Sequence, residues 1–193
     1  MSTLSQMGIP GVGTGYLHPK HRNKWRLTFL NMASGANTAD LSMQVVTTSR
    51  PNLSFEEVPI HRYTTTAYVA GKYTWDPLNV SVEDDVTGLA AAVIGEQQER
   101  QQKLIGADGP WMNTAPTASA YKFGARLEML DGNETVLEEW ILEGCWLQAV
   151  DRGDLDYQDS GAVTIQLTIR FDHAREVNNK NALGTALGGN VAN

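Results

Sequence analysis

Val163-Thr164-Ile165-Gln166-Leu167-Thr168-Ile169-Arg170-Phe171 alternates apolar and polar side chains for nine positions without a break. A period of two puts every apolar residue on one face of a strand and every polar residue on the other. The same period occurs on both sides of this stretch. Tyr121, Phe123, Ala125, Leu127 and Met129 alternate before Asp131-Gly132-Asn133-Glu134, a strong hairpin signal. The returning strand, 136–150, has Trp140, Leu142 and Trp146 on one parity and Leu137, Ile141 and Leu147 on the other. Apolar residues on both parities imply cover on both sides or a bend at Gly144.

The amino-terminal half reads the same way. Trp25, Leu27 and Phe29 form one strand, and Leu41, Met43 and Val45 a second after the Ser34-Gly35-Ala36-Asn37 turn. Leu53 and Phe55 form a short third strand bounded by Pro51 and Pro59. The Thr- and Tyr-rich run 60–75 reads as a long hairpin turning near Ala70-Gly71-Lys72, and Leu78, Val80 and Val82 as a further strand. One helix is expected, over 87–105, with Asp84 and Asp85 before it and Thr87 as its cap. Its second half, from Glu96 to Lys103, is polar all round, so it should pack by one end and expose the other. The expected fold is mainly β: a sandwich or barrel of seven or eight strands with one flanking helix. Domain boundaries fall at 1–23 for an extended Gly-rich arm, 24–173 for a single β-rich domain and 174–193 for a second arm.

Composition excludes several functions. The chain has 193 residues, 15 Lys+Arg against 22 Asp+Glu, and a net charge of -7. An acidic protein is a poor external grip for nucleic acid. A lone Cys145 excludes an intrachain disulfide and a Cys-rich zinc site. No apolar run reaches the roughly 20 residues of a membrane span, and residues 1–20 lack a signal-peptide layout. There is no nucleophile elbow, no P-loop and no EF-hand spacing in the loop of Asp151, Asp154, Asp156 and Asp159. His18 and His21 have no nearby partner ligands, and Cys145 reads as packing. No catalytic residue, cofactor or metal is implied.

Charge is unevenly distributed. Residues 1–80 hold seven cations and four carboxylates, and residues 81–193 hold eight and eighteen. Lys20, Arg22, Lys24 and Arg26 precede the first carboxylate, Asp40, whereas 128–159 holds ten carboxylates and only Arg152 as a cation. Such a pattern suits attraction between opposite ends of neighbouring copies.

Further motifs follow a definite order. Val69-Ala70-Gly71 leads through Thr74-Trp75-Asp76 to Val80-Ser81-Val82-Glu83-Asp84-Asp85 and the helix. Then come Leu130-Asp131-Gly132, Trp140-Ile141-Leu142-Glu143-Gly144-Cys145-Trp146 and Leu155-Asp156-Tyr157. This order resembles the tail tube proteins of contractile-tailed bacteriophages, over about 24–173. Where that family usually has Pro after the Trp, Leu147 stands here.

The resemblance implies a non-enzymatic virion protein: rings of six subunits stacked into a hollow tube inside a contractile sheath. Phage DNA and a tape measure protein would occupy the lumen without specific binding. Baseplate and tail-terminator proteins would be the end partners, no membrane would be involved, and assembly would take place in the host cytoplasm. Within this frame, Tyr63, Thr64, Thr65, Thr66, Tyr68, Lys72 and Tyr73 would contact the ring neighbour. Lys20, Arg22, Lys24 and Arg26 would meet Asp151, Asp154 and Asp156 of an adjacent ring, with the arms alongside. Glu96, Glu99, Arg100 and Lys103 would face the sheath, and Gly124, Arg126, Glu128, Thr164, Gln166 and Thr168 are lumen candidates. The tube of a related contractile injection particle fits the same pattern. Two other classes remain open: a carbohydrate- or peptide-binding sandwich using Trp111, Trp140 or Trp146, and a small hydrolase with the four-Asp loop as a metal site.

Overall fold

The computed structural model describes residues 20–33, 38–102, 117–130, 135–158 and 160–177. The alternating stretch around Ile165 forms β8, Thr164–Arg170, with Ile165, Leu167 and Ile169 buried. Burying each contributes about 2 kcal/mol. β5, Leu78–Glu83, pairs with it antiparallel and buries Leu78, Val80 and Val82 on the same side. β1, Trp25–Leu30, pairs with β6, Phe123–Leu130, and β6 with β7, Val136–Asp151. The expected hairpin between those last two strands is present, although its turn, 131–134, lies outside the described residues. With β2, Val45–Thr48, on the far side of β5, the strand order is β1-β6-β7-β8-β5-β2, an open path.

β7 is the element that bends this path into two layers. Its first half lies between β6 and β9, His173–Val177, and its second half pairs with β8. Between these halves the register slips: Phe123 faces Cys145, but Ala125 faces Leu142. The extra residue makes a bulge, and Gly144 occupies it with φ 69. The expected bend at Gly144 is therefore present, but parity changes across it. Leu142, Cys145 and Leu147 face the core, so Trp146 does not share a face with Leu142 as strict alternation would give. The bulge lies opposite the break between β8 and β9, where Asp172 N–H donates to the Glu143 carbonyl at 3.1 Å.

Several expectations are corrected. Leu41 and Met43 belong to a short helix, α1, Thr38–Met43, not to a strand. Ser42 Oγ donates to the Thr38 carbonyl at 2.8 Å and accepts from Phe29 N–H at 3.2 Å, so α1 rests on the outer edge of β1. The main helix, α2, runs Leu89–Gln101 rather than 87–105; Lys103 and Leu104 lie outside the described residues. Thr87 does not cap it. Its hydroxyl bonds the Asp85 carboxylate at 2.6 Å, and that bond, with the Gly88 and Leu89 N–H groups, holds Asp85 below the usual carboxylate range. A third helix, α3, is one turn, Ala118–Tyr121. β9 also carries the sheet to Val177, beyond the expected boundary at 173, with Ala174 buried.

The polar half of α2 does not stand free. Ala90, Val93 and Ile94 are buried, and so, completely, is Gln97. Its carboxamide accepts from Ala33 N–H at 2.9 Å and donates to the Tyr121 carbonyl at 2.7 Å. One turn on, Gln101 accepts from Leu147 N–H at 2.7 Å and donates to the Leu147 carbonyl at 2.9 Å. This amide takes the place of a neighbouring strand on β7 beyond the end of β6. Arg100 donates to the Ala33 carbonyl. The stretch that composition marks as solvated therefore satisfies backbone groups that would otherwise be buried unpaired.

Two substitutions test these joints. Gly144→Ala would force a side chain into the left-handed region and place its Cβ 2.3 Å from Asp172 Oδ2. A loss of about 2 kcal/mol is expected, read as a lower denaturant midpoint at unchanged slope. Gln97→Leu keeps the volume but leaves the Ala33 N–H and Tyr121 carbonyl without their partner, at a cost of about 2 kcal/mol in the same measurement.

Candidate functional site

β3, Leu53–Arg62, and β4, Thr65–Trp75, pair with each other in a separate two-stranded ribbon. The register runs from Leu53↔Trp75 to Arg62↔Thr65, with Tyr63-Thr64 at the tip. The hairpin therefore turns at Tyr63, not at Ala70-Gly71; Gly71 sits in a bulge between Phe55 and Glu57. Val58 Cγ2 would lie 3.0 Å from a Cβ added there. Pro59 does not end β3: it sits inside it, opposite Tyr68, as an edge position allows.

No residue of either ribbon strand is buried. Directly opposed residues share a face, so Phe55, Tyr73 and Tyr68 lie on one side and Val58 and Val69 on the other. All five are exposed. Phe55 and Tyr73 make an edge-on ring contact at 6.4 Å. At the base, Trp75 packs against Phe171 at 5.7 Å and His173 at 6.3 Å, and Asp76 N–H donates to the Asn52 carbonyl at 3.0 Å. The ribbon is thus rooted in the core at one end and uncovered over the rest. Two strands with apolar side chains on both faces are marginal alone in water.

All the expected ring-contact residues gather here. Tyr63 and Thr64 form the tip, and Thr65, Thr66, Tyr68, Lys72 and Tyr73 lie along β4. Val58 falls outside the sequence expectation, because a strand bounded by Pro59 leaves it out of the ribbon. The alternation Phe55, Glu57, Pro59, His61 opposite Val58, Ile60 was available to find it.

The charged groups are arranged differently from the expectation. Arg26 pairs with Glu128 at 2.7 Å, and Glu128 is 5% exposed, so it is not an open polar residue of the subunit. Arg126 is exposed and pairs with Glu139 at 3.1 Å. Lys20 and Arg50 both hold Glu138, which also accepts from Trp140 Nε1 at 2.6 Å. Two of the four basic residues assigned to a neighbouring ring, Lys20 and Arg26, therefore meet carboxylates of their own chain. Asp151 and Asp156 close local turns by accepting from Gly153 and Gln158 N–H groups, and Asp154 lies on the same exposed loop. Thr164, Gln166 and Thr168 share the polar face of β8, where Gln166 donates to Ser81 Oγ at 2.9 Å. Glu96 and Glu99 lie on α2, with Glu99 exposed. Cys145 is buried, and burial with Asp172 nearby pushes its thiol up to about 12. Trp140 is engaged by Glu138, Trp146 is half-buried, and Trp111 lies outside the described residues.

No family model and no curated protein matches the chain in sequence. Solved structures do match its fold. The tube-terminating cap of the anti-feeding prophage aligns with TM-score 0.61 at 11% identity, covering 85% of this chain and 94% of that one. A chain of the anti-feeding prophage baseplate gives 0.56 at 12%, covering 84% and 98%. A chain of the sheath-tube complex of an extracellular contractile injection system gives 0.54 at 8%, covering 92% and 99%. The chain has the fold of these contractile-particle components, the tail tube fold.

Burial alone would raise the pKa of Glu138, but the hydrogen bonds from Lys20, Trp140 and Arg50 prevail and hold it at about 2, against an ordinary 4.5. A depressed carboxyl stabilises the fold fully above its ordinary value and ceases to do so as pH falls through the folded value. Acid titration from pH 4.5 to 2 should therefore destabilise the native protein. Glu138→Gln should be less stable at neutral pH and show a flatter dependence across that window in denaturant melts.

Proposed function

We propose that this chain is a non-enzymatic tube subunit: six copies close a ring, and rings stack into the hollow inner tube of a contractile phage tail. The observation that carries the reading is the β3–β4 ribbon, rooted by Trp75 and uncovered on both apolar faces. A second copy supplies the missing cover, and a closed ring removes the open edges that would otherwise template aggregation. Tyr63, Thr64, Thr65, Thr66, Tyr68, Lys72 and Tyr73 meet the neighbour, together with Phe55 and Val58 of β3.

In this reading the polar face of Thr164, Gln166 and Thr168, with Arg126 neutralised by Glu139, lines the bore. A wall without free cations lets DNA slide. Glu96 and Glu99 of α2, with Arg100, face the sheath. Arg22 faces Asp151, Asp154 and Asp156 of the adjacent ring. Tape measure, baseplate and tail-terminator proteins complete the particle, which assembles in the host cytoplasm. The tube of an injection particle is the second reading, because the anti-feeding prophage and extracellular injection-system chains share the fold.

Negative-stain microscopy of the purified protein should show rings or hollow tubes. Phe55→Ser with Tyr73→Ser should remain folded, since both side chains lie outside the core, but sediment as a monomer. A native protein that stays monomeric at high concentration would sink the proposal.

A further inference from the structure

A basic groove separates the edges of β1 and β2, each of which pairs with one strand only. It encloses about 610 Å³, and its rim carries Lys20, His21, Arg22 and Arg50. Trp25, Val46 and Met129 also line it, so cations surround an apolar strip. Val46 is 50% exposed, and Trp25 and Met129 are half-buried. Lys20 and Arg50 share the buried Glu138, whereas Arg22 has no carboxylate partner among the described residues. Three cations (Lys20, Arg22, Arg50) against that one carboxylate leave the groove positive by two charges. The main chain adds a direction. The Lys24 carbonyl accepts from Leu130 N–H at 2.9 Å, so Lys24 turns its polar groups toward β6 and Trp25 turns its own toward the groove.

The loop between β7 and β8 has the inverse chemistry. Asp154-Leu155-Asp156-Tyr157 alternates carboxylates with large apolar side chains. Leu155 is 83% exposed and Tyr157 fully exposed, so neither side chain serves the core of its own subunit. Covering such side chains is favourable wherever a matching surface exists. The groove and the loop belong to opposite ends of one subunit. Asp84 N–H donates to the Val163 carbonyl at 2.9 Å, so the loop leaves the sheet at the Glu83 end of β5. Ser49 N–H donates to the Asn79 carbonyl at 2.9 Å, so Arg50 lies at the Leu78 end. The six residues of β5 span about 20 Å between them.

We propose that residues 154–157 of a second copy enter this groove, with Leu155 and Tyr157 on Trp25, Val46 and Met129 and the two carboxylates toward Arg22 and Arg50. Complementary charge at the rim and a matching apolar strip within it select this occupant. A contact between opposite ends is heterologous, so it repeats along a line of copies instead of closing a pair. The inference rests on the tube reading for the direction of stacking and sharpens it. The junction between rings is an apolar plug inside a charged rim, not a charge contact alone. Salt weakens the rim and spares the plug.

Full-length Thr48→Cys and Gln158→Cys proteins should be mixed and treated with a short bis-maleimide. Thr48 lines the groove, Gln158 follows the plug, and the native Cys145 is buried. A product of twice the monomer mass is expected in the mixture and in neither protein alone. Adding Leu155→Ser to the Gln158→Cys protein should cut the yield about tenfold. Its thermal midpoint should not change, because Leu155 lies outside the core. Absence of the product, a product from either protein alone, or a yield that Leu155→Ser leaves unchanged overturns the proposal. Microscopy of the same mixture separates the two readings. Rings without the cross-linked product sink this contact alone; the product without rings upholds the contact and sinks the tube reading.

Discussion

A strand of sixteen residues cannot serve two sheets unless it bends, and the bend in β7 at Gly144 governs the rest of the fold. One inserted residue reverses which parity faces inward, so Leu142 and Leu147 reach the same core from either side of it. On its other side the bulge faces Phe171 and Asp172, the two residues that separate β8 from β9. Asp172 then lies against Gly144 so closely that no side chain fits. The positive φ and the close approach are two separate reasons for glycine at one position.

The bend leaves backbone groups at the corner that no strand can pair, and this explains the composition of α2. Beyond the end of β6, Leu147 presents its N–H and carbonyl to the helix instead of to a strand. A leucine there would bury well and leave both groups unpaired; glutamine carries a donor and an acceptor at the reach of a strand neighbour. Gln97 does the same for Ala33 and Tyr121. Four residues separate the two glutamines, one helical turn, so both lie on the inward face.

Strands whose one face is buried were legible in the sequence, because period two has no competing explanation there: β1, β5, β6 and β8 all follow it. The misreadings share a physical origin. Leu41 and Met43 fit a strand by parity, but a six-residue helix with one buried residue is too short to show a 3.6 period. Pro59 reads as a terminator only where its missing N–H would be needed, and an edge does not need it. Gln97 and Gln101 look solvated because polarity reports on side chains and not on the backbone groups they serve. The ribbon itself is largely legible through its Thr and Tyr content, but a strand boundary at Pro59 leaves Val58 out of it.

Charge is where sequence order was least informative. A basic beginning and an acidic later half suggest a dipole along the subunit, yet folding brings Lys20 and Arg50 to Glu138 and Arg26 to Glu128. Much of the apparent polarity is therefore internal, between segments distant in sequence and adjacent in the fold. Surface attraction between copies is correspondingly smaller, and screened pairs contribute little in any case. In the proposed tube, what is left to drive association is the uncovered apolar surface of the ribbon. That force is non-directional, so direction must come from strand edges and their hydrogen bonds. A ribbon with two open edges and two apolar faces supplies both in one element, anchored by Trp75 in the same corner that Gly144 creates.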